Sequence, residues 1–191
     1  MMANALEFLL HTVLGLFTLA VLLRFYLQLT NAPFHNQFSQ AVVSLTNFAV
    51  RPLRRIIPSW SGLDLSTLVL AFLAQLLLQL ATLWLRDFPL LVAGHLIVSA
   101  LVGLAFVGLL KFSITIFLYA VLLQAILSWV NPYTPLAPVL DALTAPLLNP
   151  LRKRIPMAGG IDFSPLIIFI AAELLLILLV TPLEQQFLRM F

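Results

Sequence analysis

The residues best suited to chemistry lie in two short charged segments. Pro52-Leu53-Arg54-Arg55-Ile56-Ile57-Pro58 leads on to Gly62, Asp64 and Ser66, and Pro150-Leu151-Arg152-Lys153-Arg154-Ile155-Pro156 leads on to Gly160, Asp162, Ser164 and Pro165. With Arg51 preceding the first, they gather six cations beside two carboxylates. That pattern supports electrostatic recognition. Arg51, Arg54, Arg55, Arg152, Lys153 and Arg154 can neutralise acidic headgroups or an acidic protein surface, at about 1 kcal/mol per cation near an anionic membrane. Asp64 and Asp162, or the Ser that follows each, fit the N-terminal cap of a helix. Ser164-Pro165 fits an N-cap followed by the first helical position, and Gly62 and Gly160 permit the intervening turns. No histidine or metal-ligand partner stands near either Asp in sequence, so no catalytic role is expected for them.

The other chemically notable residues lie inside apolar runs. Glu173 sits near the middle of the last run, where a carboxylate is costly and marks a functional hypothesis by default. Gln75 occupies the matching place in an earlier run, and Gln124 and Gln79 add to a short set of intramembrane polar groups. The spacing predicts a polar contact between Gln75 and Glu173 across helices. The competing expectation is a small ion or solute pathway using Glu173 with Gln75 or Gln124, although a transporter usually carries more polar residues or broken helices. Haem ligation by His11, His35 or His95 is conceivable chemistry, but isolated histidines near helix ends are a poor basis for it, and no cofactor or metal is expected. The chain has no cysteine, which excludes disulfides, thiolate catalysis and Cys-ligated metals. It shows no phosphate loop, zinc spacing or nucleophile constellation. Nucleic acid is not an expected partner, since the basic loops flank apolar runs and are accounted for by membrane topology.

Those runs must position everything else. Of 191 residues, 62% are hydrophobic and only 9% charged, against about a quarter charged in ordinary soluble domains. Apolar runs at about Leu6 to Leu29, Leu65 to Leu85, within Phe88 to Val130, and Ser164 to Val180 meet the roughly 20 residues needed to cross a bilayer core. The first is too long for a signal-peptide core and lacks a basic start, so it reads as a retained span. Tyr26, Trp84, Trp129 and Tyr133 stand near run ends, as interfacial aromatics do. Fold class is therefore all-α, a multi-pass transmembrane helical bundle.

The chain is also an internal duplication. Leu45-Thr46 returns as Leu143-Thr144, the Pro-Leu-Arg, Ile-Pro, Gly, Asp and Ser positions of the loops return at an offset of 98, and Val21-Leu22-Leu23 and Asn31 return at an offset of 100. Residues 1–88 form the first repeat and 105–191 the second, with an apolar segment at 89–104 between them. Within each repeat, Phe38, Ala41, Val42, Leu45 and Ala49, and Leu136, Val139, Leu140, Leu143 and Leu147, draw one apolar stripe along a helix of about three turns, too short to span and suited to the interface plane. Pro138 and Pro146 weaken the second as a regular helix. Short loops rich in Lys and Arg stay cytoplasmic, so the repeats should be parallel, with four spans. If 88–130 crossed twice there would be five spans and inverted repeats. One kinked helix, or an interfacial piece at 88–104 feeding a span at 106–130, suits the parallel arrangement, with Gly94, Gly103 and Gly108 as bend points.

The loops resemble those of the YggT family, also called YlmG. Leu127-Ser128-Trp129, Pro150 to Pro156, and Gly159-Gly160-Ile161-Asp162-Phe163-Ser164-Pro165 match its signature closely. The first copy departs, with Leu29-Thr30 in place of Ser-Trp and Thr67 in place of Pro. Two tandem copies are similar to the proteobacterial branch, which implies a bacterial inner-membrane protein with cytoplasmic basic loops. The resemblance implies no established enzymatic activity. It associates relatives with cytochrome-complex assembly and nucleoid organisation in chloroplasts, with cell-division genes, and with osmotic stress. The reading that combines residues and resemblance is a non-catalytic scaffold or assembly factor. Its basic loops would dock anionic lipid or a protein partner, and it would be free to form a homo-oligomer.

Overall fold

The computed structural model describes residues 2–59, 62–86, 94–155 and 162–190. The sequence expectations for Pro156, for Gly160 and for the part of the inter-repeat segment before Gly94 lie outside the described residues. Every regular element is helical: α1 (Met2–Leu29), α2 (Gln37–Arg54), α3 (Leu65–Leu85), α4 (Gly94–Val130), α5 (Ala137–Arg152) and α6 (Ser164–Leu175), which runs through a π turn at Leu176–Val180 into α7 (Thr181–Leu188). Among the described residues, four stretches are long and apolar enough to cross a membrane: Asn4–Leu29, Leu65–Leu85, Ile97–Val130 and Ser164–Leu188.

In place of the interfacial piece that was one expectation, helix α4 already starts at Gly94. It is unbroken from Gly94 to Val130, 37 residues, or about 55 Å at the α-helical rise. Gly103 and Gly108 are close-packing points inside it. A Cβ at Gly103 would overlap the Phe187 ring of α7, and one at Gly108 would overlap the side-chain oxygen of Gln75 in α3. The absence of a side chain lets neighbouring helices approach, the usual role of small residues in membrane helix packing.

α1, α3 and α4 pack around Val21, Leu22, Ala71, Leu109, Ile116 and Ala120. Tyr26 and Phe117 meet edge to face at 4.7 Å between ring centroids, a favoured aromatic geometry. The two repeats are parallel at the loop end. Val42 of α2 and Val139 of α5 share one buried cluster with Leu27 and Ala32, and the Asn36 side-chain amide donates to the Pro135 carbonyl.

α1 ends in a Schellman motif, with Ala32 N–H donating to Leu27 O and Asn31 N–H to Gln28 O. Asn31 takes the left-handed position at φ 52°. Asn36 then caps α2 through its side-chain oxygen, accepting from Phe38 N at 2.9 Å. α2 and α5 are longer than three turns because each continues through its Pro-Leu-Arg stretch. Pro146 and Pro150 are accommodated inside α5. In α2 the inward face is Ser39, Val42, Thr46 and Val50. The apolar stripe read from the sequence is largely turned outward, since Phe38, Ala41 and Leu45 are exposed. An outward apolar stripe on a short helix beside four spans is the orientation that lipid would cover.

Candidate functional site: two matched clasps and a cavity

Each repeat closes its charged loop with the same ion pair. Arg54, at the end of α2, donates to Asp64 Oδ2 from Nε at 3.0 Å and again from Nη2. Arg152, at the end of α5, donates from Nε to Asp162 Oδ2 at 2.7 Å. In both repeats ten residues separate the partners, so the clasp is repeated by the duplication itself. Helices α2 and α5 end on these cations, where the negative helix terminus also favours them. Gly62 supplies a backbone at φ 83° in the first loop, which an L side chain rarely adopts.

The surroundings of the two clasps differ. The Asp64 side chain is 1% exposed and that of Asp162 is 25% exposed. Asp64 also accepts from the Ser66 hydroxyl, and Gln28 of α1 accepts from Arg54 Nη2 at 3.4 Å. Burial pushes the Asp64 carboxyl up, but hydrogen bonds from Arg54 and Ser66, the Arg54 charge and a contact from Thr67 outweigh it and hold the group below the ordinary carboxylate range. Asp162 is likewise held low against its burial, by Arg152 and by the Ser164 amide.

The capping expectations are refined. Asp64 occupies the N-cap position of α3, but no side-chain bond caps the helix, because the carboxylate is taken by Arg54 and Ser66. Asp162 does accept from the Ser164 amide at 2.9 Å. The α6 N-cap is Phe163, so Ser164 is already the first helical residue and Pro165 the second.

Arg24 belongs to the site although it lies outside the charged loops, within the first apolar run. It is 5% exposed and donates to the Val43 carbonyl, to Thr46 Oγ1 at 2.9 Å and to Asn47 Oδ1 at 3.0 Å, tying α1 to α2. At the offset of 100 its counterpart is Gln124, and at 98 the counterpart of Thr46 is Thr144. The second repeat reproduces the contact, with the Thr144 hydroxyl donating to Gln124 Oε1. Gln124 Nε2 donates in turn to Asp141 Oδ1. The Leu-Thr matches at 45–46 and 143–144 were the available signal. They recur because the hydroxyl is needed at the helix-to-span contact.

Gln75 and Glu173 are not brought together, contrary to the expected contact. Gln75 is buried and donates to Thr18 Oγ1 at 3.2 Å. The position matching Thr18 is Leu118, which offers no hydroxyl. Glu173 is half-buried and has no hydrogen-bond or ion-pair partner among the described residues. Of the loop cations, Arg51, Arg55, Lys153 and Arg154 are exposed and unpaired among the described residues. Arg54 and Arg152 are engaged internally and are not free charges.

Between the end of α4, α5 and the start of α6 lies a cavity of about 600 Å³, within the range of ligand pockets. Leu122, Leu140, Leu166 and Phe169 supply apolar wall, and Gln124, Asp141, Arg152 and Asp162 supply polar groups. In the first repeat the longer Arg24 side chain stands where Gln124 stands in the second, and Gln28 braces the clasp where Ser128 is too short to do so.

The model of the CCB3/YggT family matches residues 3–85 and again residues 103–183. A Pseudomonas aeruginosa protein is 39% identical over 185 residues, covering 96% of this chain and 92% of the relative. YggT of Escherichia coli K12 is 37% identical over 168 residues, covering 86% and 84%. A Vibrio alginolyticus protein is 36% identical over 174 residues, covering 89% and 90%. No solved structure matches the chain.

Proposed function

This chain belongs to the CCB3/YggT family, and from that premise we propose that it is a non-catalytic scaffold of the bacterial inner membrane, docking an acidic protein partner on its cytoplasmic side. One observation carries the reading. The two clasps spend Arg54 and Arg152 on fixing the loops, and so hold Arg51, Arg55, Lys153 and Arg154 outward, unpaired among the described residues, at one end of the bundle. Preorganised cations of this kind steer and orient an acidic partner. Anionic lipid headgroups would meet the same charges, consistent with a role at the membrane surface in assembly or stress adaptation.

Two measurements test it. Because the chain lacks cysteine, a single cysteine at Ser59 and, separately, one at Ala158 report sidedness by impermeant labelling of intact cells. Protection of both until the membrane is opened is expected, and external labelling of either would end the cytoplasmic docking face. In-cell cross-linking from Ser59 should then capture one specific acidic partner. Changing Arg51, Arg55, Lys153 and Arg154 together to Gln should abolish that adduct while the clasps remain. An adduct that survives the change would sink the proposal.

A second reading rests on Glu173, a half-buried carboxylate in a span with no partner among the described residues. It assigns the protein a small ion or solute flux. Proteoliposomes should show a flux that Glu173→Gln removes, and identical fluxes in the two proteins would dismiss it.

A further inference from the structure

We propose that the cavity between α4, α5 and α6 is a binding site for one membrane phospholipid carrying a primary amine headgroup. Its apolar wall suits hydrocarbon, and its polar groups carry both signs of charge. Arg152 uses Nε on Asp162, and among the described residues its two terminal nitrogens have no hydrogen-bond partner, the arrangement that receives a phosphate. Asp141 is exposed and gives one carboxylate oxygen to Gln124, which leaves the other to accept from an ammonium. A phosphate and an amine on one diacyl lipid match this pairing. A headgroup with phosphate alone would offer the Asp141 carboxylate only neutral hydroxyl donors and no opposite charge, and a quaternary amine has no N–H to donate to it.

Trp129 also lines the cavity and stands at the end of α4, the position of an interfacial aromatic. The first repeat lacks the matching polar groups. Arg24 takes the place of Gln124 and bonds within the protein to Val43, Thr46 and Asn47. No carboxylate matches Asp141 there, since its counterpart is Val43. The proposal concerns a lipid bound within the fold. It stands independently of the acidic partner proposed for the exposed cations.

The test uses the full chain in phosphatidylcholine bilayers, with Trp60→Phe and Trp84→Phe leaving Trp129 as the reporter. Small mole fractions of phosphatidylethanolamine, phosphatidylglycerol or phosphatidylcholine with brominated acyl chains are added as quenchers. Brominated phosphatidylethanolamine should quench in a saturable manner at about fivefold lower mole fraction than the other two, as expected of one well-placed charge contact. Asp141→Asn should bring it level with phosphatidylglycerol, and Ala125→Phe, which fills the cavity, should remove saturation for all three. Equal quenching by all three lipids would mean annular contact only and would overturn the site. A preference for phosphatidylglycerol would overturn the amine assignment, and so would ethanolamine selectivity that persists in Asp141→Asn. The three-lipid comparison is decisive in the two-Phe parent even if a variant fails to fold.

Discussion

The two repeats build one clasp in two environments. In the first, Asp64 is shut from water and receives Arg54, Ser66 and, through Arg54, the bracing of Gln28. In the second, Asp162 keeps a quarter of its side chain in solvent, and the space beside it is open. Three residue changes account for the difference: Arg24 against Gln124, Gln28 against Ser128 and Val43 against Asp141. One repeat has become a closed structural unit. The other has kept the same fastening but exchanged a buried guanidinium for a cavity with a carboxylate at its side. Duplication preserved the contact that holds the loop and released the surrounding positions to diverge.

The sharpest way to break this comparison is to remove the cation from each clasp. Arg54→Ala strands a buried carboxylate and should cost on the order of 3 kcal/mol. Arg152→Ala leaves Asp162 partly hydrated and should cost at most about 1 kcal/mol. Thermal unfolding of the two variants in one detergent measures the gap, and equal losses would show that the clasps are equivalent after all. Gly62→Ala tests the loop rather than the charge. It forces an L side chain into the left-handed region and should cost about 1–2 kcal/mol, read in the same melts.

Converting the open repeat toward the closed one is a smaller effect. Gln124→Arg should place a guanidinium near Thr144 and Asp141, raise stability by about 1 kcal/mol, and shrink the cavity. A melt that falls instead would show that the space cannot take the longer side chain. The mildest perturbation is pH. Both carboxyls are held below their ordinary value of 3.8. Their contribution is therefore fully present above that value and is lost as pH falls through the lower folded values. Stability should be flat from neutrality down to about pH 5 with respect to these groups. The loss below that should shrink more in Asp64→Asn than in Asp162→Asn, measured as the slope of melting temperature against pH.

Much of this was legible in the residues. Apolar runs with sharp polar boundaries placed α3 at Leu65–Leu85, and the repeated Arg and Asp marked both loops. The side chains of α2 were harder. A periodic stripe says that a helix has an apolar face but not whether protein or lipid covers it, so Phe38 and Leu45 were read as one face and lie outward. Gly103 and Gly108 were ambiguous for a similar reason. Glycine permits a bend and also permits contact, and only the positions of Phe187 and Gln75 reveal the contact. Arg24 gave no signal of its role, because its partners are supplied by another helix.

The sequence by itself determined the membrane class, the duplication and the helical spans, because burial of backbone in a bilayer and regular spacing of apolar residues leave few alternatives. It also determined family membership through the loop signature. Only the tertiary structure decided that Arg54 and Arg152 are fasteners, that Gln75 bonds to Thr18 and not to Glu173, and that a cavity lies beside the second clasp. Those outcomes depend on which side chains meet across helices distant in the chain, and the spacing of residues along one helix carries no record of its neighbours.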